Sequence, residues 1–313
     1  MASLSKVAEI LSEKDNIEIL THHYPDGDTL GSAYALCLML QSLGKNAKVI
    51  TSGRVARKYD FLKKGVQVQD FEREYVVSVD VAAPSLLGEN QQEYENIIDL
   101  CIDHHGTNSI SAEESYVDAK AAATGEIIYE LSKEMGIGLT REMASCIYTG
   151  ISTDTGCFRY SNTTPCTLLI AAELMAVTPE WHEINTQMFE VKTREKLNLE
   201  KMVYETLEYS CEGKCALIYT TLEMQEKAGI TDDEMEGLAS IPRQIEGVLL
   251  GITMREKADG TFKISVRSNK DVSASDFCAR FGGGGHKAAA GCTVVGDLET
   301  VKNQLMLAAC EML

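Results

Sequence analysis

The sequence predicts an α/β protein of two domains, the first built on a mainly parallel sheet flanked by helices and the second a smaller α/β unit. Three observations carry that prediction. Short apolar, β-branched runs alternate with stretches of helical periodicity over the first half of the chain, as in buried parallel strands joined by helical crossovers. An almost wholly helical block follows, from about residue 140 to residue 210, before strands return. At 313 residues and 44% hydrophobic content, the chain is also longer than one core usually holds.

The elements follow in order. "MASLSKVAEILSEKDNIEIL" alternates charged and apolar residues at helical spacing, unlike a secretory signal. "IEILTHH" reads as the first strand, and "TLGSAYALCLMLQSLG" as a helix closed by a glycine. "AKVIT", "EYVVSVDVA" and "IIDLCIDHH" read as further strands. Thr124 stands where a cap for "GEIIYELSKEMG" is needed. "REMASCIYTGIS", "TLLIAAELMA" and the highly charged "REKLNLEKMVYETLEY" are helical, the last as a connecting helix. Strands return in "KCALIYTT", "VLLGITMRE" and "TFKISVRS", and "ETVKNQLMLAACEML" is an amphipathic helix. The first domain is therefore expected over residues 1–190, a connecting segment over 191–212 and the second domain over 213–313.

Composition narrows the function. A net charge of −18 argues against a broad basic face for long duplex DNA. It permits a short anionic substrate where bound cations reverse the local field. No apolar run reaches the roughly 20 residues of a membrane helix. Of the ten cysteines, Cys37, Cys101, Cys146, Cys278 and Cys310 sit in apolar or amphipathic stretches, and the closest spacing is Cys211 to Cys215 in "CEGKC". That pattern predicts reduced thiols and a cytoplasmic setting.

Acids and histidines gather where strands end. "THHYPDGDTLGS" holds His22, His23, Asp26 and Asp28; "VVSVD" ends on Asp80; "CIDHH" ends on Asp103, His104 and His105; "GISTDTG" brings Asp154 just after a helix. Four of the six histidines lie at two of these strand ends. In an open α/β sheet the crevice beyond the carboxyl ends of the strands is where ligands bind. Carboxylates and imidazoles without thiolate suit Mn²⁺, Mg²⁺, Fe²⁺ or Co²⁺. Two divalent cations would balance Asp26, Asp28, Asp80 and Asp154, and Pro25 and Gly27 would turn the loop between them. Asp28 alone would pass for a helix cap. His23, and His182 beside Trp181, are read as ordinary structural residues.

These residues resemble a known family. "HHYPDGDTLGS", "SVD", "IDHH" and "STDTG" are similar to the four motifs of the DHH phosphoesterases, and "GGGGHKAAAG", Gly282 to Gly291, to the signature of their C-terminal DHHA1 domain. The order fits nearly the whole chain, and the glycine-rich motif points to the two-domain, NrnA-like branch. That resemblance implies one metal held by His22, Asp26 and Asp80, and a second by Asp28, Asp80, His104 and Asp154, with Asp80 bridging. It implies that His105 faces the scissile phosphate. Manganese is the expected metal, with Mg²⁺, Co²⁺ and Fe²⁺ as alternatives, and a homodimer is one form such proteins take. No side-chain nucleophile is needed, and no serine has a convincing His/Asp partner motif.

The second domain is expected to choose the substrate. Gly283, Gly284 and Gly285 would let a phosphate or sugar approach the backbone closely. His286 and Lys287 follow, and "HKAAAG" is read as the start of a helix whose N-terminus favours an anion. Arg267 in "ISVRS" joins them, and Arg159 in "GCFRYSNT" is a further candidate phosphate contact. The expected activity is hydrolysis of short oligoribonucleotides, including dinucleotides such as pApA, and of 3′-phosphoadenosine-5′-phosphate. The alternatives are a cyclic di-AMP phosphodiesterase, an inorganic pyrophosphatase of the same superfamily, or a nucleotide-binding sensor without chemistry.

Overall fold

A computed structural model describes residues 2–230, 235, 237–269 and 271–313. The chain divides into two compact units, Met1–Val191 and Lys192–Leu313.

In the first unit α1 (Leu4–Glu13), β1 (Ile17–Leu20), α2 (Gly27–Ser42), β2 (Ala47–Ile50), β3 (Tyr75–Val79), α3 (Gln91–Tyr94), β4 (Leu100–Asp103) and β5 (Glu114–Val117) precede four helices. These are α4 (Thr124–Glu134), α5 (Arg141–Asp154), α6 (Pro165–Val177) and α7 (Trp181–Phe189). All neighbouring strands run parallel in the order β2-β1-β3-β4-β5. β1, β3 and β4 therefore lie side by side and end on the same edge, delivering His22, Asp80 and His104 together. Strand residues alternate between two cores, as the twofold period of a strand requires. Ile17, Ile19, Val77, Val79, Leu100 and Ile102 join the large core, while Leu20, Val76 and Cys101 join a smaller one on the opposite face.

α2 is buried from Gly27 through Leu40, so it lacks the polar stripe of a surface helix. Its packing against α5 depends on a missing side chain: a Cβ at Gly150 would stand 2.7 Å from Asp28 Oδ1. Glycine there lets the carboxylate sit against α5, the helix that ends on Asp154.

The second unit opens with α8 (Arg194–Glu205), within the stretch 191–212 that the sequence suggested as a connecting segment. Leu199 and Val203 of α8 are buried with Ile218 and Ala228. β6 (Glu208–Ser210), β7 (Cys215–Thr220), α9 (Leu222–Ala228), β8 (Leu250–Glu256), β9 (Thr261–Ser268), α10 (Ala274–Ala279), β10 (Gly284–His286), β11 (Ala289–Val295) and α11 (Leu298–Met312) complete it. The sheet order is β10-β11-β9-β8-β7-β6, antiparallel except for the β7–β8 pair.

Two expectations fail here. "HKAAAG" does not begin a helix: Gly284 to His286 pair with Gly291 to Ala289 as an antiparallel hairpin. Gly285 has φ +143°, and a Cβ there would meet the Ala289 carbonyl oxygen at 2.7 Å, so the local backbone favours a glycine hairpin over a helical turn. Nor are all cysteines reduced. Cys211 and Cys310 form a disulfide between residues 99 apart, tying the turn after β6 to α11, while the other eight are free. Their distance in sequence hid a pairing that folding brings about. Among the described residues no helix is long and apolar enough to cross a membrane.

Candidate metal centre

The loop after β1 turns directly into α2. Asp26, rather than Asp28, is the N-cap, its Oδ1 accepting from the backbone N–H groups of Asp28 (3.0 Å) and Thr29 (3.2 Å). Thr29 Oγ1 donates to the Val79 carbonyl (3.0 Å), which pins the start of α2 to the end of β3. Asp28 then points inward and accepts from Thr124 N (2.7 Å), Gly125 N (2.9 Å) and Ser32 Oγ (3.0 Å). Asp80, one residue past β3, has φ +59°. A non-glycine residue in that region is strained, and such strain clusters at functional sites.

The side chains converge. His22 Nε2 lies 3.6 Å from Asp26 and 3.9 Å from Asp80. His104 Nε2 lies 3.7 Å from Asp80, 3.7 Å from Asp154 and 3.9 Å from Asp28. These separations are too long for hydrogen bonds. They fit donors around a shared ion, since two ligands each about 2.0–2.2 Å from a metal are at most roughly 4.4 Å apart. Three groups form with all donors within 4.8 Å: His22, Asp26 and Asp80; Asp28, His104 and Asp154; Asp80, His104 and His105.

The imidazoles are oriented for ligation. His22 Nδ1 is 3.0 Å from the His23 carbonyl oxygen and His104 Nδ1 is 3.2 Å from that of Ala121. With Nδ1–H donating to each carbonyl, both Nε2 lone pairs face the carboxylates, the tautomer a metal ligand needs. His105 differs: its Nδ1 is 2.8 Å from Oδ1 of Asp103. Asp103 is fully buried and also accepts from the side-chain amide of Asn108 at 2.5 Å.

Electrostatics point the same way. Burial raises Asp80 well above the ordinary carboxylate range, with the charges of Asp28, Asp26 and Asp103 adding to it. Burial, then the charge of Asp28, pushes Asp154 up to about 7. Crowded carboxylates of this kind repel one another, and a divalent cation would offset that repulsion. Burial would raise Asp103 too, but the hydrogen bonds from His105 and Asn108 outweigh it and hold Asp103 low. The Asp103 hydrogen bond raises His105 in turn.

Every predicted ligand is thus in one cluster, with His105 at its side. Arg159 is not drawn into it: its Nε donates to the Gly156 carbonyl (2.5 Å) and its guanidinium lies 5.9 Å from the Phe189 ring. His23 is held by Ser52 at 3.0 Å, and His182 is exposed on α7. In the second unit Arg267 pairs with Ala289, which pairs with His286, so the two stand in one row on one face of the sheet. Sequence reasoning missed Asn108 as the support of Asp103 and mistook the work of Thr124. Ala123 is the N-cap of α4, and the Thr124 hydroxyl donates to Asp80 Oδ1 at 2.8 Å.

The chain is similar to known proteins along most of its length. Residues 16–151 match the DHH family N-terminal domain and residues 214–310 match the DHHA1 domain. A Thermus thermophilus protein named bifunctional oligoribonuclease and PAP phosphatase NrnA is 33% identical, over 98% of this chain and 93% of its own. A Bacillus subtilis protein of the same name is 28% identical, over 95% and 98%. The crystal structure of an exopolyphosphatase-related protein from Bacteroides fragilis superposes with a TM-score of 0.89 at 25% identity, covering 98% of this chain and 96% of that one.

Proposed function

The chain belongs to the DHH/DHHA1 phosphoesterases, metal-dependent enzymes, and on that premise we propose that it hydrolyses short oligoribonucleotides to nucleoside monophosphates and 3′-phosphoadenosine-5′-phosphate to AMP. The relatives named for those two activities supply the substrate class. The observation that carries the chemistry is the pair of acid–histidine groups meeting at Asp80.

In this reading His22, Asp26 and Asp80 hold one divalent cation, and Asp28, Asp80, His104 and Asp154 hold the second, with manganese the first choice. Bound there, the cations would supply charge neutralisation for the phosphoryl oxygens and acidify an attacking water. The residues of the chain do the rest. Asp80, shared between the groups and held by Thr124, keeps the two sets in register. Asp103, backed by Asn108, orients His105 and favours its protonated form, a group suited to stabilise the scissile phosphate or the leaving oxygen. Within the second unit, Arg267, His286 and the backbone of Gly283 to Gly285 are the candidate substrate contacts. The net charge of −18 favours short single strands over long duplexes.

The test is chromatography of products from pApA, an RNA pentamer, 3′-phosphoadenosine-5′-phosphate, cyclic di-AMP and diphosphate, with Asp80→Asn as control. Nucleoside monophosphates from the short oligomers, absent in the control, are expected. Turnover of diphosphate or cyclic di-AMP alone would replace this reading, and tight binding of nucleotides without turnover would make the protein a sensor.

A further inference from the structure

Asp154 is the last residue of α5, where the closing carbonyls of a helix have no partner within it. The side-chain amide of Asn162 donates to the Asp154 carbonyl (3.2 Å) and to the Ala122 carbonyl (2.9 Å). Both neighbours are acceptors, so each hydrogen of one NH2 group has its own oxygen. A single side chain thus joins two segments that lie far apart in sequence.

Both segments serve the metal centre. The stretch from Ala121 to Gly125 supports three of its side chains. The Ala121 carbonyl oxygen is 3.2 Å from His104 Nδ1, and the Thr124 hydroxyl donates to Asp80 at 2.8 Å. The N–H groups of Thr124 and Gly125 donate to Asp28 at 2.7 and 2.9 Å. Ala122 lies within this stretch, and its N–H donates to the buried Glu126 at 3.1 Å. The other segment carries Asp154 itself, whose Oδ2 is 3.7 Å from His104 Nε2. Asn162 therefore spans from the frame of three ligands to a fourth.

The backbone takes a costly path to place it. Cys157 and Phe158 have φ of +60° and +61°, directly after Gly156 at +57°. Successive non-glycine residues in the left-handed region are strained, and such strain is stored where a fixed geometry is required. The reversal lets the Thr155 carbonyl accept from the N–H groups of both Arg159 and Tyr160, each at 3.0 Å. It also brings Asn162 back to the end of α5.

We infer that Asn162 is a positioning residue of the metal centre, its amide fixing Asp154 against the segment that supports His104, Asp80 and Asp28. The inference rests on the proposed two-ion site. Without the amide, Asp154 loses its register with His104. The ion assigned to Asp28, Asp80, His104 and Asp154 is then held less tightly, while the one assigned to His22, Asp26 and Asp80 is not affected.

The test uses the full-length protein, Asn162→Leu, which keeps the branched shape without the amide, Asn162→Ala, and Asn162→Gln, which keeps the amide. Mn²⁺ binding is followed by calorimetry, the fold by melting of the metal-free proteins, and turnover of pApA as a function of Mn²⁺ concentration. The wild type is expected to bind two ions. The Leu and Ala variants should bind one as the wild type does and the other about tenfold or more weakly, as when a group that orients a ligand is lost. They should approach wild-type kcat only at correspondingly higher Mn²⁺, and Asn162→Gln should recover part of the affinity. Equal weakening of both ions, or of neither, overturns the inference. Loss of folding in both the Leu and Ala variants would assign the amide to the fold rather than to the metal, and overturns it too. A wild type that takes up no Mn²⁺ removes the metal centre and this inference together. Two-ion binding without turnover of pApA would sink the hydrolytic reading and leave this one standing.

Discussion

At the scale of single residues, Asp80 combines three properties that individually cost stability. It is 3% exposed, its φ is +59°, and its neighbours include three further carboxylates. The Thr124 hydroxyl is the neutral group that offsets this, because its hydrogen bond favours the charged carboxylate. Thr124→Val keeps the side-chain shape and removes that donor. The pKa of Asp80, already raised, then rises further, so the acid limb of the pH–activity profile moves to higher pH. Metal affinity is expected to fall by about tenfold or more, as for other groups that orient a ligand. Titration of Mn²⁺ against the variant, followed calorimetrically, checks the affinity. An unchanged affinity and an unchanged pH profile would show that Thr124 only closes the start of α4.

Elements place these residues, and each does so for a local reason. β1, β3 and β4 end together because they are adjacent and parallel. α2 enters the site because Asp26 caps it, and α5 comes close because Gly150 leaves room for Asp28. In the second unit the order of elements is reinforced by the disulfide from the turn after β6 to α11. A cross-link closing a loop of that size is worth about 2–5 kcal/mol. Cys211→Ser is therefore expected to lower the stability of the oxidised protein by that amount in a denaturant melt. A thiol reductant should lower the wild type equally and leave the variant unaffected. If the reductant changes neither protein, the bond makes no contribution to stability.

For the whole molecule, the consequence of an acid-lined centre is that cations contribute to the native state. Any ion that binds only the folded protein stabilises it by about 2.7 kcal/mol at one hundred times its dissociation constant. Chelation of the metal should thus lower the melting temperature of the wild type, and adding Mn²⁺ should restore it. Asp80→Asn should melt at one temperature with or without the ion. A wild type whose melting is indifferent to chelator and metal would remove the case for a metal centre.

Much of this was legible in the chain before folding. Unbroken runs such as "EYVVSVDVA" announce buried strands, and the acids and histidines that follow them announce a ligand site, because a parallel sheet exposes its strand ends on one edge. The glycine run after Phe281 was visible, but its hairpin was not: pairing of Gly284 with Gly291 is a contact between segments, and local preference for helix in "HKAAAG" loses to it. The connecting-segment reading of 191–212 did not include the burial of Leu199 and Val203 with Ile218. Periodicity says that a helix has an apolar face, not which strand covers it. Thr124 reads as a cap in any sequence, and only the approach of β3 gives its hydroxyl to Asp80. Sequence by itself determined the residue types and the strand ends that carry them, since those depend on local pattern. Tertiary structure decided which donor each acid receives and which cysteines meet, because those choices are made by groups far apart in the chain.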